Sequence, residues 1–575
     1  MLKIPYGQSS FETVIKDGFF YQDRTAYIRK LEEQNTRFLF YLRPRRFGKS
    51  LFITTLHSYY GLEHKAKFEK LFGQLDIGQH PTENANSYMV LSLEFSRIDT
   101  KTEEGTFKGF LRNVKNSVKA FLEEYAVFFP KNTHREILDN EQPADVLAAL
   151  FSAYYSATLK QELPKIYILI DEYDHFANEL VSFNYRYFAT SVSQNGFVRK
   201  FYESIKLATR DGIVERLFVT GVSPLTLDSM TSGFNISTNI TLWEDFHEMM
   251  GFVEPEVEGI LKGIGVKESK LKSVLNNLRA WYDGYLFNLN AENHIYNPDM
   301  VLYFAMLFSR KQQYPDNLLD PNIATDYAKI RNIFKIQHKE KENFEALKQL
   351  RNEGFLSAIL TDQFSLERDF NTNDVASLLF YMGFLTMKGQ RLGMHQFTFP
   401  NFVIEKLYAE YFVDTLKATA ELPVENRALQ FALLDLAEGN PEPFYKEVTE
   451  ILTALSNRDM QGFTENSLKA IFVSLLFQQK FYYIHSEYET NRKYVDVFCE
   501  GMKNFDVPFD SAFELKYVKM SEKVDLDTEF AAAEIQLLNY LTLKKFIERP
   551  NIKAYVVVVH GVTIHSKEIF IAKNK

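Results

Sequence analysis

The chain has 575 residues with a net charge of −9, 46% hydrophobic residues, and only 25 Gly and 17 Pro. That is globular throughout, too long for one core, and sized for roughly three or four domains. The acidic balance argues against a general nucleic-acid coat protein but leaves room for a local basic groove. The single cysteine, Cys499, excludes an intramolecular disulfide and a Cys-rich zinc site. The opening MLKIPYGQSS has no apolar signal core, and no apolar run approaches the roughly 18 residues of a membrane span, so the expected location is the cytoplasm with no membrane partner. The 52 Phe and 32 Tyr are spread along the whole length, which favours core packing over a stacking surface.

In chain order, RFLFYL (37–42) reads as a short strand and KSLFITTLHSYYGL (49–62) as a helix. Between them, RPRRFGKS ends as a phosphate loop does, with Gly48, Lys49 and Ser50 fitting G-x-x-x-x-G-K-[ST]. Strand, loop and helix N-terminus are what a phosphate site needs, because the first helical N–H groups then point at the ligand. The first glycine of the pattern is missing, and Arg43 stands in its place. The turn must then close differently, because an arginine does not share glycine's freedom. Arg43, Arg45 and Arg46 are expected to contact phosphates, the alternative being a solvated basic rim.

YMVLSLEFS (88–96) supplies a further strand, and KIYILIDEYDHF (165–176) one buried on both faces. At the end of the latter, Asp171 is expected to hold Mg²⁺ together with Ser50, and Glu172 to orient the attacking water. A solvated turn is the bland alternative for this acidic pair. RLFVTGV (216–222) places Thr220 where a γ-phosphate is sensed. Strands alternating with helices indicate an α/β parallel sheet with ATP at its carboxyl edge.

Residues 241–310 read as a helical lid, with Trp281, Tyr282, Tyr285 and Phe287 as its core rather than a base-stacking box. KIQHKEKENFEALKQLRNEG (335–354) is a charged, solvated helix. From 374, an apolar helix, FLTMKG, a polar QRLG turn and HQFTFPN resemble a winged-helix module. It carries few basic residues, so packing rather than DNA contact is expected.

The last 130 or so residues hold a second constellation. TENSLKAIFVSLLF (464–477) is a helix, and FYYIHSEYETNRKYVDVFCE (481–500) is two strands joined at ETNRK, with Asp496 in the second. SAFELKYVK (511–519) places Glu514 and Lys516 on one strand face. FAAAEIQLLNYL (530–541) is a helix with Gln536 and Tyr540 one turn apart, and AYVVVVH (554–560) closes the sheet. Charges inside strands need a reason, and a metal supplies one. Asp496 and Glu514 would share Mg²⁺ or Mn²⁺, with Lys516 polarising or orienting a water. The alternative is an acid–lysine salt bridge at solvated strand ends. Glu487 and Glu489 compete for the metal role but are expected to be exposed.

Taken together, the motifs resemble those of predicted AAA-ATPase-like bacterial proteins ending in a PD-(D/E)xK nuclease-like domain. The resemblance is carried by IPYGQSSFETVIKDGFFYQDRTAYIRKL with Tyr21, Asp23 and Thr25, by RPRRFGKSL, by TGVSPLTLDSMTSGFNIS (220–237), by WYDGYLF (281–287), by IYNPDMVL (295–302), and by LLFYMGFLTM with FPNFVIEKLY. It implies that the altered loop is the family's own form. It also implies that Glu465 joins the metal cluster from its helix, that Gln536 belongs to the catalytic set, and that Lys493 departs from a common glycine. The implied fold class is α/β: an AAA/ASCE-like P-loop NTPase domain (1–240), a helical lid (241–325), a winged-helix-like middle (326–445) and a PD-(D/E)xK nuclease-like domain (446–575). The expected function is an ATPase controlling a metal-dependent nuclease, acting on nucleic acid with DNA ahead of RNA. A defence role against foreign DNA enters by analogy. A homo-oligomer is a further expectation, with Arg210 or Arg216 completing a neighbour's site. The alternatives are a signalling or scaffold NTPase whose C-terminal domain only binds a partner or nucleic acid, and a nucleotide switch without turnover, against which Glu172 argues.

Overall fold

The computed structural model describes residues 2–570 apart from 226–235, 321–348, 420–426, 456–462 and shorter stretches at 97, 184, 193–194, 316, 351–352, 363, 365–369, 491–492, 503–504, 523–524, 542–545, 547–548 and 550. Most of the charged segment 335–354 and part of 220–237 therefore lie outside the described residues. The chain divides into two compact units, one of Met1–Gln312 with Phe355–Asn401, the other chiefly Phe402–Lys575. Residues 241–312 of the expected lid share a unit with the phosphate-loop region.

In the first unit, five strands form a parallel sheet in the order β2-β3-β4-β1-β5: β1 (Phe38–Leu42), β2 (Met89–Glu94), β3 (Ile166–Asp171), β4 (Val214–Gly221) and β5 (Thr238–Asn239). Every residue of β3 is buried, as an unbroken apolar run in a doubly covered sheet requires. β4 lies between the loop strand and β3, pairing Tyr41 with Thr220 and Ile170 with Val219. That register brings the carboxyl ends of β1, β3 and β4 to one edge. Tyr60 and Tyr167 pack inward, with their rings 4.8 Å apart.

Helices Glu254–Gly263, Glu268–Tyr282 and Pro298–Lys311 follow. The last starts on Asn297, whose side chain accepts the Asp299 and Met300 N–H groups, with Pro298 at the first helical position. Trp281, Tyr282, Tyr285 and Phe287 are all buried, as lid-core residues would be. Helix Thr372–Tyr381 precedes a hairpin of β7 (Thr386–Arg391) and β8 (Met394–Thr398), and β6 (Leu356–Ala358) extends it to three antiparallel strands. The hairpin turns at Leu392 and Gly393, both at positive φ.

The second unit holds a mixed sheet in the order β13-β12-β11-β10-β9: β9 (Tyr482–Thr490), β10 (Lys493–Gly501), β11 (Asp510–Val518), β12 (Ile552–His560) and β13 (Thr563–Ile569). Only β11 and β12 pair in parallel. Strand β12 does not close the sheet, as its sequence was expected to. Residues 554–559 are buried, and the more polar β13 covers that edge after a turn at Gly561. Helix Leu526–Leu541 sets Ala533, Leu537 and Leu541 against Ala512, Val518, Val556 and Val558. Helix Glu465–Leu476 packs through Phe472, 5.1 Å from Phe513. Among the described residues no helix is long and apolar enough to cross a membrane.

Candidate functional site

The missing glycine is explained by where the loop turns. The Arg43 N–H still donates to Gly221 O at 3.2 Å, so residue 43 continues the strand pairing and needs no special backbone freedom. The left-handed positions come later, at Arg46 (φ 69°) and Gly48 (φ 93°). The Arg43 side chain corrects the expectation made for it. It is fully buried and donates to the carbonyls of Leu42, Thr241, Phe246 and His247 at 2.8–3.2 Å. Its guanidinium lies over the Tyr41 and Phe287 rings at 4.3 and 4.2 Å. Arg43 thus ties the loop strand to the segment after β5 and to the lid core, and does not face a phosphate.

Lys49, Ser50, Asp171 and Thr220 converge. The Lys49 ammonium is buried and donates to Arg43 O at 3.0 Å and Pro44 O at 2.8 Å. Burial lowers its pKa, with Glu172, Asp171 and Asp174 opposing. Asp171 accepts the Thr220 hydroxyl at 2.7 Å, and Ser50 and Thr220 both favour its charged form. Burial still raises its carboxyl above the ordinary value. Glu172 adopts φ 51°, a costly conformation for a non-glycine residue, held by its N–H on Asp171 Oδ1 at 3.0 Å. Its carboxylate lies 3.3 Å from His175 Nδ1, which Arg45 Nη2 approaches at the same distance. Burial pushes Glu172 up, but His175, Lys49 and Arg45 outweigh it and hold the carboxyl at about 2. Arg46 stands 3.9 Å from Asp299.

Arg45, Arg46, Gly48, Lys49, Ser50 and Glu172 line a cavity of about 550 Å³, together with Phe20, Tyr21, Met249, Met250 and Phe252. Arg216 lies towards the far end of β4 from Thr220, against the Tyr88 hydroxyl at 3.3 Å, and Arg210 pairs with its neighbour Asp211. Neither reaches this site. Sequence reasoning missed Asp174, which is buried and accepts Val222 N–H, Ser223 N–H and the Ser223 hydroxyl at 2.7–3.0 Å. It thereby clamps the end of β4 against β3. A third acid in DEYD was the available signal.

The second site forms where β10 and β11 part. Their pairing runs from Cys499↔Ser511 to Val497↔Phe513, and immediately beyond lie Asp496 and Glu514. There the Leu515 N–H donates to Asp496 Oδ2 at 2.9 Å. Glu514 is fully buried, and neither carboxylate oxygen has a hydrogen bond; Lys516 Nζ stands at 3.4 Å without bonding geometry. Burial first, then Asp496, raises the Glu514 carboxyl from 4.5 to about 8. Lys516 also reaches Glu465 Oε1 at 3.4 Å. Burial opposes its charge, but Glu465, Glu514 and Asp496 raise its pKa overall.

Asp496, Glu514, Lys516 and Glu465 are thus brought together. Gln536 is not bonded into the cluster; its amide donates to Tyr540 at 3.1 Å. The side chains of Glu487, Glu489 and Lys493 fall outside those described. Sequence reasoning missed Lys469, whose ammonium stands 3.4 Å from Asp496 Oδ1. It lies one turn after Glu465, a spacing that could have marked it.

These two sites fall inside two independent family matches. Residues 5–231 match the family described as predicted AAA-ATPase, and residues 463–570 match the PD-(D/E)XK nuclease superfamily. A protein described as uncharacterized, from the vnfD 5' region of Azotobacter chroococcum mcd 1, is 25% identical over 420 residues, covering 70% of this chain and 68% of its own length. The chain therefore joins a domain of the predicted AAA-ATPase family to one of the PD-(D/E)XK nuclease superfamily.

Proposed function

We propose that the N-terminal domain binds and hydrolyses ATP, and that this controls a divalent-metal-dependent nuclease in the C-terminal domain, acting on DNA ahead of RNA. The observation that carries the nuclease reading is Glu514, a completely buried carboxylate with both oxygens free of hydrogen bonds, beside Asp496. Ionised, such a group is costly to bury, and Lys516 at 3.4 Å gives it no hydrogen bond. The oxygens of Asp496 and Glu514 suit Mg²⁺ or Mn²⁺. Bound there, the ion would lower the pKa of a water and neutralise charge on a phosphodiester. Lys516, its charge favoured by three acids, orients water or stabilises the anionic phosphate rather than accepting a proton.

At the first site, Ser50 and Asp171 offer hard oxygen donors for Mg²⁺, and Lys49 brings positive charge to the phosphates. Glu172, ionised at neutral pH, is the acceptor for a water's proton. The apolar wall of Phe20, Met249, Met250 and Phe252 suits a base ring. A role in defence against foreign DNA rests on analogy alone.

One observation favours a second reading, a C-terminal domain that binds without cutting. Lys469 already sets a cation against Asp496, where a metal would sit. One experiment separates the two. The purified chain is incubated with linear DNA, circular DNA and RNA, in Mg²⁺ or Mn²⁺, with and without ATP. Cutting lost on Asp496→Ala and altered by Lys49→Ala supports the controlled nuclease. ATP turnover with no cutting on any substrate supports the second reading.

A further inference from the structure

The helix that carries the phosphate loop ends in a cluster outside both sites. His57 lies in the last turn of Lys49–Tyr60, and the short 3₁₀ helix Leu62–Lys67 brings Glu63 and His64 back beside it. His57 Nε2 stands 2.8 Å from Glu63 Oε1, and His64 Nε2 stands 3.5 Å from the same oxygen. One ligand atom from each of the three lies within 4.8 Å of the others.

The surroundings orient these groups. The Ser92 hydroxyl on β2 meets His57 Nδ1 at 3.1 Å, and the Tyr125 hydroxyl donates to Glu63 Oε2 at 2.6 Å. A Cβ at Gly61 would fall 2.3 Å from Glu63 Oε1, so the bare glycine lets the carboxylate fold back. His64 Nδ1 is buried without a hydrogen-bond partner. His57 has a partner at each ring nitrogen, whereas His64 meets Glu63 Oε1 through Nε2 and leaves Nδ1 unbonded.

We propose that His57, Glu63 and His64 bind a divalent transition-metal ion of the zinc class. Two imidazoles and one carboxylate favour zinc over magnesium or calcium, and three protein ligands leave a fourth position for water. With bonds of about 2.0–2.1 Å, the edges of a tetrahedron are about 3.4 Å, and the two separations at Glu63 Oε1 bracket that length. Ser92 and Tyr125 are the outer partners that fix ligand orientation. The ion would pin the end of the loop helix to β2 and to Tyr125.

The test uses the full chain, stripped with chelator and titrated with Zn²⁺ under excess Mg²⁺, which occupies the oxygen-rich sites. One tight Zn²⁺ equivalent is expected, with a visible Co²⁺ spectrum of low-symmetry nitrogen ligation. His64→Ala and Glu63→Gln should each remove that equivalent, whereas Lys49→Ala and Asp496→Ala retain it. Tyr125→Phe should weaken binding by about tenfold or more. Glu63→Gln keeps the size of the side chain, so loss of metal with an unchanged circular dichroism spectrum separates ligation from misfolding. No tight equivalent in the parent chain, or one that survives both His64→Ala and Glu63→Gln, overturns the proposal.

Discussion

Glu172, half-buried just after β3, and Glu514, buried in the middle of β11, are driven in opposite directions by their environments. Glu172 sits among His175, Lys49 and Arg45 and is held at about 2; Glu514 sits beside Asp496 and is raised to about 8. Burial raises both, so the neighbours decide the sign. The first site thus holds Glu172 ionised at neutral pH. The second holds a carboxyl that keeps its proton until a cation arrives. Each acid matches its proposed task, a water acceptor in one place and a metal ligand in the other.

The largest effect expected is on cutting. Asp496→Ala should abolish divalent-dependent cleavage by about 1,000-fold or more while ATP turnover continues, as gel and phosphate-release assays would show. Equal cleavage by the variant would leave the second site a binding surface. Lys49→Ala should reduce ATP turnover by about 100-fold or more, through lost charge at the phosphates. Unchanged turnover would break the assignment of the loop.

Arg43→Ala should act on folding. It strands four carbonyls and empties the space between Tyr41 and Phe287, costing about 3 kcal/mol or more, seen as an earlier first transition in urea. A loss of nucleotide affinity with no loss of stability would return Arg43 to the phosphates.

The two acids then give opposite pH signs. Between 4.5 and about 8 the folded chain keeps the Glu514 proton that the unfolded chain has released, so this group makes metal-free stability fall as pH rises. Glu514→Gln should remove that component, flattening thermal midpoints over this range. Glu172 contributes the reverse: its stabilisation is present above 4.5 and is lost as pH falls towards 2. The smallest effect belongs to His175→Gln, which should move the acid limb of ATP turnover to higher pH. An unmoved limb would mean that Lys49 and Arg45 alone hold Glu172 ionised.

Much of this was legible in the residues. The unbroken run Ile166–Ile170 dictated a doubly buried strand, and G-K-S behind β1 dictated a loop opening a helix, because local periodicity and backbone chemistry set both. The pairing of Asp496 with Glu514 and Lys516 could be read from charges inside strands. Tertiary structure alone decided the rest. Arg43 points inward because carbonyls from residues 241–247 and a ring at 287 gather around it, contacts that nothing near residue 43 encodes. β12 became an inner strand because β13 folded back on it. His57, Glu63 and His64 converge because the bare Gly61 leaves room for the Glu63 carboxylate to fold back. Sequence determines what each segment prefers. Which charges, rings and carbonyls meet depends on segments far apart, and those meetings set the pKa values and the sites.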